Sequence, residues 1–424
     1  MSIEHKEFQK DFRRYKAELY KALRNQFVKL ALKRSVSSVR ENTTRAFELF
    51  QDVKEKSKKL RDTKESILSR LDEAVTQTVE SIERTGGHAH YAKTTDDALR
   101  TIENLVGSGK LIVKGKSITS KELELNENLE KWGNTVYETD LGAFIVQILG
   151  DRSMHLTSPA LHVSRERVAK VFSQISGQNL EPDIPKLVMF ARNYLREKFF
   201  EADVGISGAN AVIAETGSIF LIENEGNIRF ATNAPPIHIA IAGIEKTLPT
   251  LMDGMLLVEV VSRYAGYLAP SFVSIISGPS KSGDIEKTPV YGVHGPREFH
   301  VILLDNGRSK VAEDPALRQM LLCVRCGRCF FECPIFQLTA GYFGHLYMGG
   351  IGVPWTALVS GGLEKAAPMA FTCTLCGRCL RYCPMEIDVP SMISKLREMS
   401  AAKGYLPPYV DEMVKNILAR GTPY

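Results

Sequence analysis

Cysteine is absent from the first 322 residues of this sequence of 424 residues. All eight cysteines fall in two short runs near the carboxyl end, and none is left over. A disulfide framework spread over the chain would need cysteines elsewhere and is therefore excluded. This distribution points to metal or redox chemistry confined to the two runs.

Long apolar runs are equally scarce. The one long stretch without Asp, Glu, Lys or Arg covers residues 333–363, and its seven glycines and Pro354 argue against a membrane-spanning helix. The first six residues contain no apolar segment, so no signal peptide is expected. These absences predict a cytoplasmic protein that is attached to a membrane at most through a partner.

Neither a large charge excess nor a nucleotide motif is present. The net charge of +5 is small for this length and does not suggest a nucleic-acid-binding protein. No G-x-G-x-x-G follows a predicted strand, so dinucleotide binding is not expected. His88, His90, His155 and His162 lie apart without H-E-x-x-H spacing, so metal binding by these side chains is not expected either.

The composition is that of a soluble globular protein, with 44% hydrophobic and 24% charged residues. The length requires two or three domains. The pattern along the chain predicts a helical arm over residues 1–85, an α/β domain over 86–308, a helical cysteine-rich module over 309–403 and a tail over 404–424 that ends in a helix at 410–420.

The amino-terminal arm is basic. Residues 1–40 contain eleven Lys or Arg against four Asp or Glu, and further helical patterns cover 46–58 and 64–84. One apolar stripe of a helix is formed by Phe8, Phe12, Tyr15, Leu19 and Leu23. We expect a solvated arm that packs on the body or on a partner; the alternative is binding to a membrane surface.

The middle of the chain alternates short β-rich runs with helical patterns. Buried strands are predicted at residues 111–114, 211–214, 218–222, 272–276 and 300–304, and helices at 121–132 and 164–173. This alternation indicates an α/β domain with a largely parallel sheet. Gly- and Ser-rich turns beside the strands are typical of loops that line a ligand cleft.

The two cysteine runs carry the same motif. They read Cys323-Val-Arg-Cys326-Gly-Arg-Cys329-Phe-Phe-Glu-Cys333-Pro334 and Cys373-Thr-Leu-Cys376-Gly-Arg-Cys379-Leu-Arg-Tyr-Cys383-Pro384. This C-x₂-C-x₂-C-x₃-C-P spacing wraps three thiolates around one [4Fe–4S] cubane and gives the fourth to the other cluster. The predicted ligand sets are Cys323, Cys326, Cys329 and Cys383 for the first cluster, and Cys373, Cys376, Cys379 and Cys333 for the second. Structural zinc sites, the alternative, normally pair two C-x-x-C hairpins across a long gap.

Other residues of the module have predicted roles as well. Arg325, Arg328, Arg378 and Arg381 place positive charge near the clusters and favour their reduced state, or else are simply solvated. The 39 residues between Cys333 and Cys373 are too many for a compact ferredoxin loop, and short helices are predicted at 338–347 and 354–362. The Gly-rich run 348–355 is expected to pack around the clusters.

These motifs resemble the lactate utilisation protein B family, the iron–sulfur subunit of a complex that oxidises L-lactate. The resemblance covers nearly everything between residues 15 and 400. It is carried by Gly86-Gly-His-Ala-His-Tyr, Lys114-Gly-Lys-Ser, Glu138-Thr-Asp-Leu-Gly142, Ser158-Pro-Ala-Leu-His162, Gly208-Ala-Asn-Ala-Val-Ile-Ala-Glu-Thr-Gly-Ser218, Asn224-Glu-Gly-Asn227, Ser277-Gly-Pro-Ser-Lys-Ser-Gly-Asp-Ile-Glu286 and Gly292-Val-His-Gly-Pro-Arg297.

The resemblance implies a LUD domain, similar in fold to ribose-phosphate isomerases and CoA transferases, joined to an α-helical ferredoxin module. It also implies partners: a cysteine-rich CCG-domain subunit and a second LUD subunit or a flavoprotein. Family members usually extend well past the ferredoxin module. The ending of this sequence, by contrast, is similar to the tails of heterodisulfide-reductase-type iron–sulfur subunits.

Polar residues in Gly-rich turns of the α/β domain are candidate ligand-binding residues. They are Lys114, Lys116, Asn210, Glu215, Glu225, Asn227, His294 and Arg297. Glu215 resembles the nucleophilic carboxylate of CoA-transferase-like folds, Lys116 and Arg297 suit a carboxylate or phosphate, and His294 suits proton transfer. The alternative is that all of them satisfy turns in a degenerate site kept as a docking scaffold.

Three functions suit these observations. The first is an electron-relay subunit of a complex that oxidises lactate or a similar 2-hydroxy acid, or of another complex of the heterodisulfide-reductase type. The second is an enzyme in which the LUD domain binds the hydroxy acid or a CoA-type ligand. The third is a structural bridge whose clusters only hold the fold. The absence of a flavin or nicotinamide motif favours the relay.

Overall fold

The computed structural model describes residues 3–424. Their helices are α1 Ile3–Arg24, α2 Gln26–Leu49, α3 Val53–Leu68, α4 Leu71–Arg84, α5 Thr95–Val106, α6 Ile118–Glu122, α7 Leu125–Lys131, α8 Leu141–Leu149, α9 Arg165–Ser176, α10 Ile184–Glu201, α11 Asn227–Asn233, α12 Leu251–Tyr264, α13 Arg308–Ala312, α14 Arg328–Glu332, α15 Pro334–Thr339, α16 Gly349–Trp355, α17 Gly362–Thr372, α18 Arg378–Arg381, α19 Val389–Ala402 and α20 Pro408–Arg420. Their strands are β1 His88–Ala92, β2 Leu111–Lys114, β3 Thr135–Glu138, β4 Val204–Gly208, β5 Ala211–Ile213, β6 Ile219–Glu223, β7 Ile237–Gly243, β8 Thr247–Leu248, β9 Phe272–Ile276, β10 Lys281–Ser282, β11 Val290–Tyr291 and β12 Glu298–Leu304.

Six strands form one parallel sheet in the order β1-β12-β7-β4-β2-β3. Its centre is buried on both faces: Ala240 and Ala242 of β7 join one apolar cluster, and Ile239 and Ile241 join another. Strands covered on both faces are typical of parallel sheets between helices. The predicted α/β domain with a largely parallel sheet is therefore confirmed, although β7 itself was not among the predicted strands.

A second, four-stranded sheet lies beside the first, in the order β8-β5-β6-β9. Strands β5, β6 and β9 overlap three predicted strands. The prediction that residues 272–276 are buried is wrong: β9 is an edge strand, and Ile275 on it is exposed. An edge strand has a neighbour on one side only, so an apolar β-branched run does not by itself imply burial.

The amino-terminal arm is helical, as expected, but it is integrated into the body. Helix α3 packs on α12, α2 on α14 and α15, and α4 on β1. The predicted helices 46–58 and 64–84 are interrupted near residues 50–52 and 69–70. Within the apolar stripe of α1, Phe8 and Phe12 are buried with Ala367 and Tyr405 of the carboxyl-terminal region. The apolar stripe is thus covered by the chain itself.

Three helices of the expected set differ in the structure. The predicted helix 121–132 is split into α6 and α7 because Glu124 adopts φ 44°. Residues 338–347 are mostly not α-helical: α15 ends at Thr339, a 3₁₀ turn follows, and Gly344 bridges to Met348. The Gly-rich run forms α16 and continues as a π-helix at Thr356–Ser360, so the helix predicted at 354–362 begins earlier.

Close packing explains why the Gly-rich run is helical despite its low helix propensity. A Cβ atom at Gly349 would lie 2.8 Å from the Phe330 ring, and one at Gly352 would lie 2.5 Å from the backbone of Tyr347. These glycines let α16 approach the segment that contains the first cysteine run, as the packing interpretation expects. The tail helix agrees with its prediction at α20. Within residues 3–424, no helix is long and apolar enough to cross a membrane.

Candidate functional site

The two cysteine loops have the same backbone conformation. Arg325 and Leu375, each just before the second cysteine of its run, have φ 60° and 53°, and Gly327 and Gly377 have φ 76° and 74°. Left-handed conformations at a non-glycine residue are uncommon. Their repetition in both loops indicates that each loop is shaped for the same purpose.

All eight cysteines are free thiols; seven are partly buried, and Cys376 is exposed. Burial raises the pKa of Cys329 well above its usual value, and repulsion from Cys323, Cys326, Cys383 and Cys379 raises it further. Burial and then repulsion from neighbouring thiols likewise raise the pKa of Cys379 to about 12. The neighbours responsible are Cys373, Cys333 and Cys376. Each run thus has a cysteine of the other run among its close neighbours, which agrees with the crossed ligand sets that the motif predicts, and the assignment itself stays a prediction.

The donor chemistry fits iron–sulfur clusters. Buried thiols with raised pKa values, such as those of Cys329 and Cys379, become thiolates readily only beside a strong positive charge, which bound iron supplies. Backbone N–H groups are also available, since Leu375 N donates to Cys373 Sγ at 3.4 Å. A cubane places each thiolate on a different iron. No three His, Cys, Asp or Glu side chains in residues 3–424 converge on a single-ion site.

A buried carboxylate joins the arm to both motifs. Glu332, with a side chain 1% exposed, accepts hydrogen bonds from Arg40 at 2.8 Å and Arg378 at 2.9 Å, and pairs with Arg328 at 3.0 Å. Burial alone would raise the pKa of Glu332, but the hydrogen bonds from Arg40 and Arg378 outweigh it and lower the pKa. Arg328 and Arg378, expected either to tune the clusters or to be solvated, are thus held by a carboxylate.

A second buried network joins the parallel sheet to the cysteine module. The Arg308 guanidinium is fully buried and donates to Glu245 and to Glu122, at 2.6 Å in each case. Tyr347 also donates to Glu122, and Arg325 lies 3.6 Å from Glu245. Burial alone would raise the pKa of Glu245, but Arg308 and neighbouring cations lower it to about 2. The network holds the first cysteine loop against the carboxyl ends of the strands.

A cavity of about 370 Å³ lies between that loop and the sheet. It opens beside the carboxyl ends of the neighbouring strands β2 and β4. After β2 the chain continues to β3 at one edge of the sheet, and after β4 the next strand of this sheet is β7, on the opposite side of β4. Ligands of open α/β sheets bind at such switch points. The wall on the other side includes Cys323, Val324, Arg325 and Cys326. A ligand in this cavity would therefore touch both domains.

Four cationic side chains line this cavity. Lys116 Nζ pairs with Asp140 at 2.6 Å. Lys64 donates to the carbonyl of Glu245 at 2.7 Å, and Lys246 donates to the Thr119 hydroxyl at 3.1 Å. Burial lowers the pKa of Lys64 and of Lys246 to about 8.

The fourth cation, Arg325, stacks on aromatic rings. Its Cζ lies 3.9 Å from the ring centroid of Trp355 and 4.7 Å from that of Tyr347. Its buried Nε and Nη2 have no hydrogen-bond partner among the described residues. A buried donor without a partner is costly, so this guanidinium retains unused binding capacity.

The candidate residues of the α/β domain divide into two sets. Four of them line the cavity: Lys116, Asn210, Glu225 and Asn227. Lys114 does not line the cavity; it is buried and pairs with Glu138 at 2.6 Å. These residues follow the carboxyl ends of strands, which explains why the fold brings them together.

The remaining candidates lie elsewhere. Glu215 does not line the cavity; it accepts a hydrogen bond from Leu251 N at the start of α12. His294 and Arg297 are exposed and precede β12, at the amino end of the parallel strands, opposite the cavity. The candidate residues therefore do not share one ligand site. Glu215 instead caps the start of α12.

Reasoning from sequence missed several cavity residues, among them Lys64, Lys246 and Asp140. Lys64 belongs to the arm, which was expected to be solvated, and Lys246 follows β7, the strand that was not predicted. Asp140 is the side-chain N-cap of α8. For Lys246 a signal exists: it follows an alternating Ile and Ala run that ends in Gly243. For Lys64 there is none, because its burial depends on packing between distant segments.

Comparison with known proteins identifies the class. Residues 75–304 match the family model of the LUD domain, and residues 319–387 match that of the 4Fe-4S dicluster domain. The protein is therefore a LUD-domain protein with a helical dicluster module that carries two [4Fe–4S] clusters, as the sequence predicts.

The relatives identify the family. Lactate utilization protein B of Bacillus subtilis is 32% identical over 412 residues, covering 96% of this chain and 84% of the relative. The protein of the same name from Shouchella clausii is 36% identical over 339 residues, covering 79% and 69%. The chain belongs to the lactate utilization protein B family. A solved structure, a duf162 family protein from Deinococcus radiodurans, is 15% identical over 55% of this chain and 98% of that chain, with a TM-score of 0.30.

Proposed function

We propose that this chain is the electron-transfer subunit of a cytoplasmic complex that oxidises lactate or a similar 2-hydroxy acid. In this proposal it relays single electrons between its two [4Fe–4S] clusters. The observation that carries the proposal is the pair of like-shaped cysteine loops, of which the first lines the cavity and the second reaches the surface at Cys376. Bound clusters supply one-electron redox chemistry.

The chain's own residues hold the two redox sites close together. In this proposal the ligand sets are crossed between the runs, with Cys383 in the first set and Cys333 in the second; the repulsion of Cys326 by Cys383 and of Cys333 by Cys373 supports this assignment. Glu332, next to Cys333, fixes the relative position of the two motifs through Arg328 and Arg378. A fixed, short separation is what electron transfer between the clusters requires.

The two sites differ in their access to solvent. Cys376 is exposed, and Arg378 beside it is about half exposed, so a partner that exchanges electrons has a docking point there. The first loop faces the cavity instead. We propose that the partner at the exposed site is the CCG-domain subunit, and that a second LUD subunit or a flavoprotein completes the complex. A relay subunit of the heterodisulfide-reductase type would use the same two sites with a different partner.

A redox titration of the reconstituted protein, followed by EPR, tests the relay. We expect each chain to take up about two electrons, one per cluster, at potentials that physiological donors reach. Clusters that stay oxidised throughout that range would contradict the relay and favour the purely structural role.

The matched variant for this titration is Arg378→Gln, which removes positive charge beside the exposed site. Loss of a nearby positive charge disfavours the reduced state. We expect the potential of the second cluster to fall while that of the first changes less. The exposed Arg165→Gln variant in α9 is the control and should leave both potentials unchanged.

A further inference from the structure

We propose that the cavity between the LUD domain and the first cysteine loop is a binding site for a small organic anion that carries a carboxylate or a phosphate. Lys64, Lys246 and Arg325 are the groups that hold it. The cavity touches Cys323 and Cys326 but is lined mostly by residues of the LUD domain, so this inference goes beyond the relay. Only its coupling to the first cluster rests on the proposed ligand set.

The charges around the cavity support an anion rather than a cation. The acidic groups are already engaged: Asp140 pairs with Lys116, and Glu223 accepts from the backbone N–H groups of Ile228 and Arg229 at 2.7 and 3.0 Å. Glu225 accepts from Leu141 N at 3.1 Å. The carboxylates are thus satisfied by the protein and leave little demand for a cation.

The cationic groups are less fully engaged. Lys64 is 4% exposed, yet its hydrogen bond goes to a backbone carbonyl, and that of Lys246 goes to a hydroxyl. Neither acceptor carries a charge. Arg325 has two buried nitrogens without a hydrogen-bond partner among the described residues. Glu245 lies 3.6 Å from Arg325, but its close hydrogen bond comes from Arg308. Buried cationic donors that make no hydrogen bond to a carboxylate are costly, and an oxyanion would supply the missing acceptors.

The rest of the lining indicates a ligand with an organic part. Leu221, Leu248, Leu257 and Val261 form an apolar side of the cavity, and Asn210 and Asn227 add amide groups. Its volume of about 370 Å³ is within the range of small-molecule sites. Since Cys323 and Cys326 form part of the wall, a bound anion would add negative charge next to the first cluster.

A competing explanation is that these cations only balance the charge of the cluster itself. A cubane held by four thiolates carries a net charge of about −2 when oxidised. In that case no small anion would bind, and removing a lysine would change the potential of the cluster whether or not an anion is added. The two explanations therefore differ in their dependence on added anion.

The experiment measures anion binding by the reconstituted protein under anaerobic conditions, by calorimetry and by EPR of the reduced clusters. The probes are L-lactate, inorganic phosphate and the neutral analogue lactamide. We expect lactate or phosphate, but not lactamide, to bind and to change the EPR signal of one cluster and lower its potential. Lactate alone would indicate a carboxylate ligand and phosphate alone a phosphorylated one.

Three variants make the test specific. Lys246→Gln should weaken anion binding about tenfold or more, because one charge-assisted hydrogen bond is lost. Lys246→Arg should retain most of the binding, and Lys131→Gln, an exposed lysine in α7, should behave as the original protein. No binding of either anion, or equal binding by Lys246→Gln, would overturn the proposal. Since calorimetry does not need the clusters to be reduced, a failed relay and a failed anion site remain distinguishable.

Discussion

Replacing Arg308 by methionine tests how the two domains are held together. The substitution keeps most of the apolar volume and removes the guanidinium that bridges Glu122 and Glu245, both of which are at most 1% exposed in their side chains. Arg325, 3.6 Å from Glu245, is the nearest remaining cation. Two buried carboxylates would then lose their main counter-charge.

The expected loss of stability can be worked out in two ways. Removing one partner of a buried ion pair typically costs about 3–5 kcal/mol. Independently, the pKa of Glu245 is lowered to about 2. Relative to about 4.3 in an unfolded chain, this corresponds to about 3 kcal/mol at neutral pH, of which Arg308 supplies the largest share and Lys246, Arg325 and Lys64 the rest. We therefore expect Arg308→Met to destabilise the protein by about 3–4 kcal/mol.

The stability difference between Arg308→Met and the original protein should depend on pH in a definite direction. In the original protein, the contribution of Glu245 is fully present above the unfolded pKa of about 4.3 and is lost as the pH falls toward its folded pKa. In Arg308→Met, burial dominates and raises the folded pKa of the carboxylates, so acidification relieves the destabilisation. The difference between the two proteins should therefore be largest at neutral pH.

The assay is urea unfolding of the reconstituted protein, followed by circular dichroism at several pH values, with the exposed Arg165→Met as control. Exposed substitutions of this kind usually change stability by less than about 0.5 kcal/mol. An unchanged urea midpoint in Arg308→Met, or a difference from the original protein that grows on acidification, would refute the reasoning.

Three further predictions concern packing and the ligand sets. Phe8 is fully buried, so Phe8→Ala should weaken the docking of α1 by about 3 kcal/mol and make α1 more sensitive to protease. Tyr20 is 53% exposed, so Tyr20→Ala should leave the cleavage rate unchanged; equal cleavage rates for the two variants would contradict this prediction. Gly352→Ala should lower the thermal midpoint because its Cβ would lie 2.5 Å from the backbone of Tyr347, while Gly283→Ala, with open space around it, is the neutral control. Cys333→Ser should damage the second cluster and spare the first, as judged by EPR; selective loss of the first would disprove the crossed assignment.

Part of this architecture could be read from local patterns. The cysteine spacing alone is enough to predict a cubane site. Strands β2 and β12 are short apolar runs, so each can be recognised as a strand without knowing which strands lie beside it. The residues after the carboxyl ends of strands, such as Lys116 and Asn210, were found for the same reason. In these cases the chemistry is contained in a few consecutive residues.

The remainder depends on contacts between distant segments. Lys64 lies on a helix that looks solvated, and only packing against α12 and the sheet buries it. Gly349 and Gly352 have low helix propensity, yet that run is helical and packs closely on Phe330 and Tyr347. His294 and Arg297 suit a site by residue type but lie at the other end of the strands. Neither burial nor the strand end was visible in the local sequence.

The most direct test of the central claim is anaerobic iron and sulfide analysis combined with EPR of the dithionite-reduced protein. About eight irons per chain are expected, with the broadened spectrum of two interacting reduced cubanes. About four irons or fewer after full reconstitution, or zinc in their place, would contradict the two-cluster account.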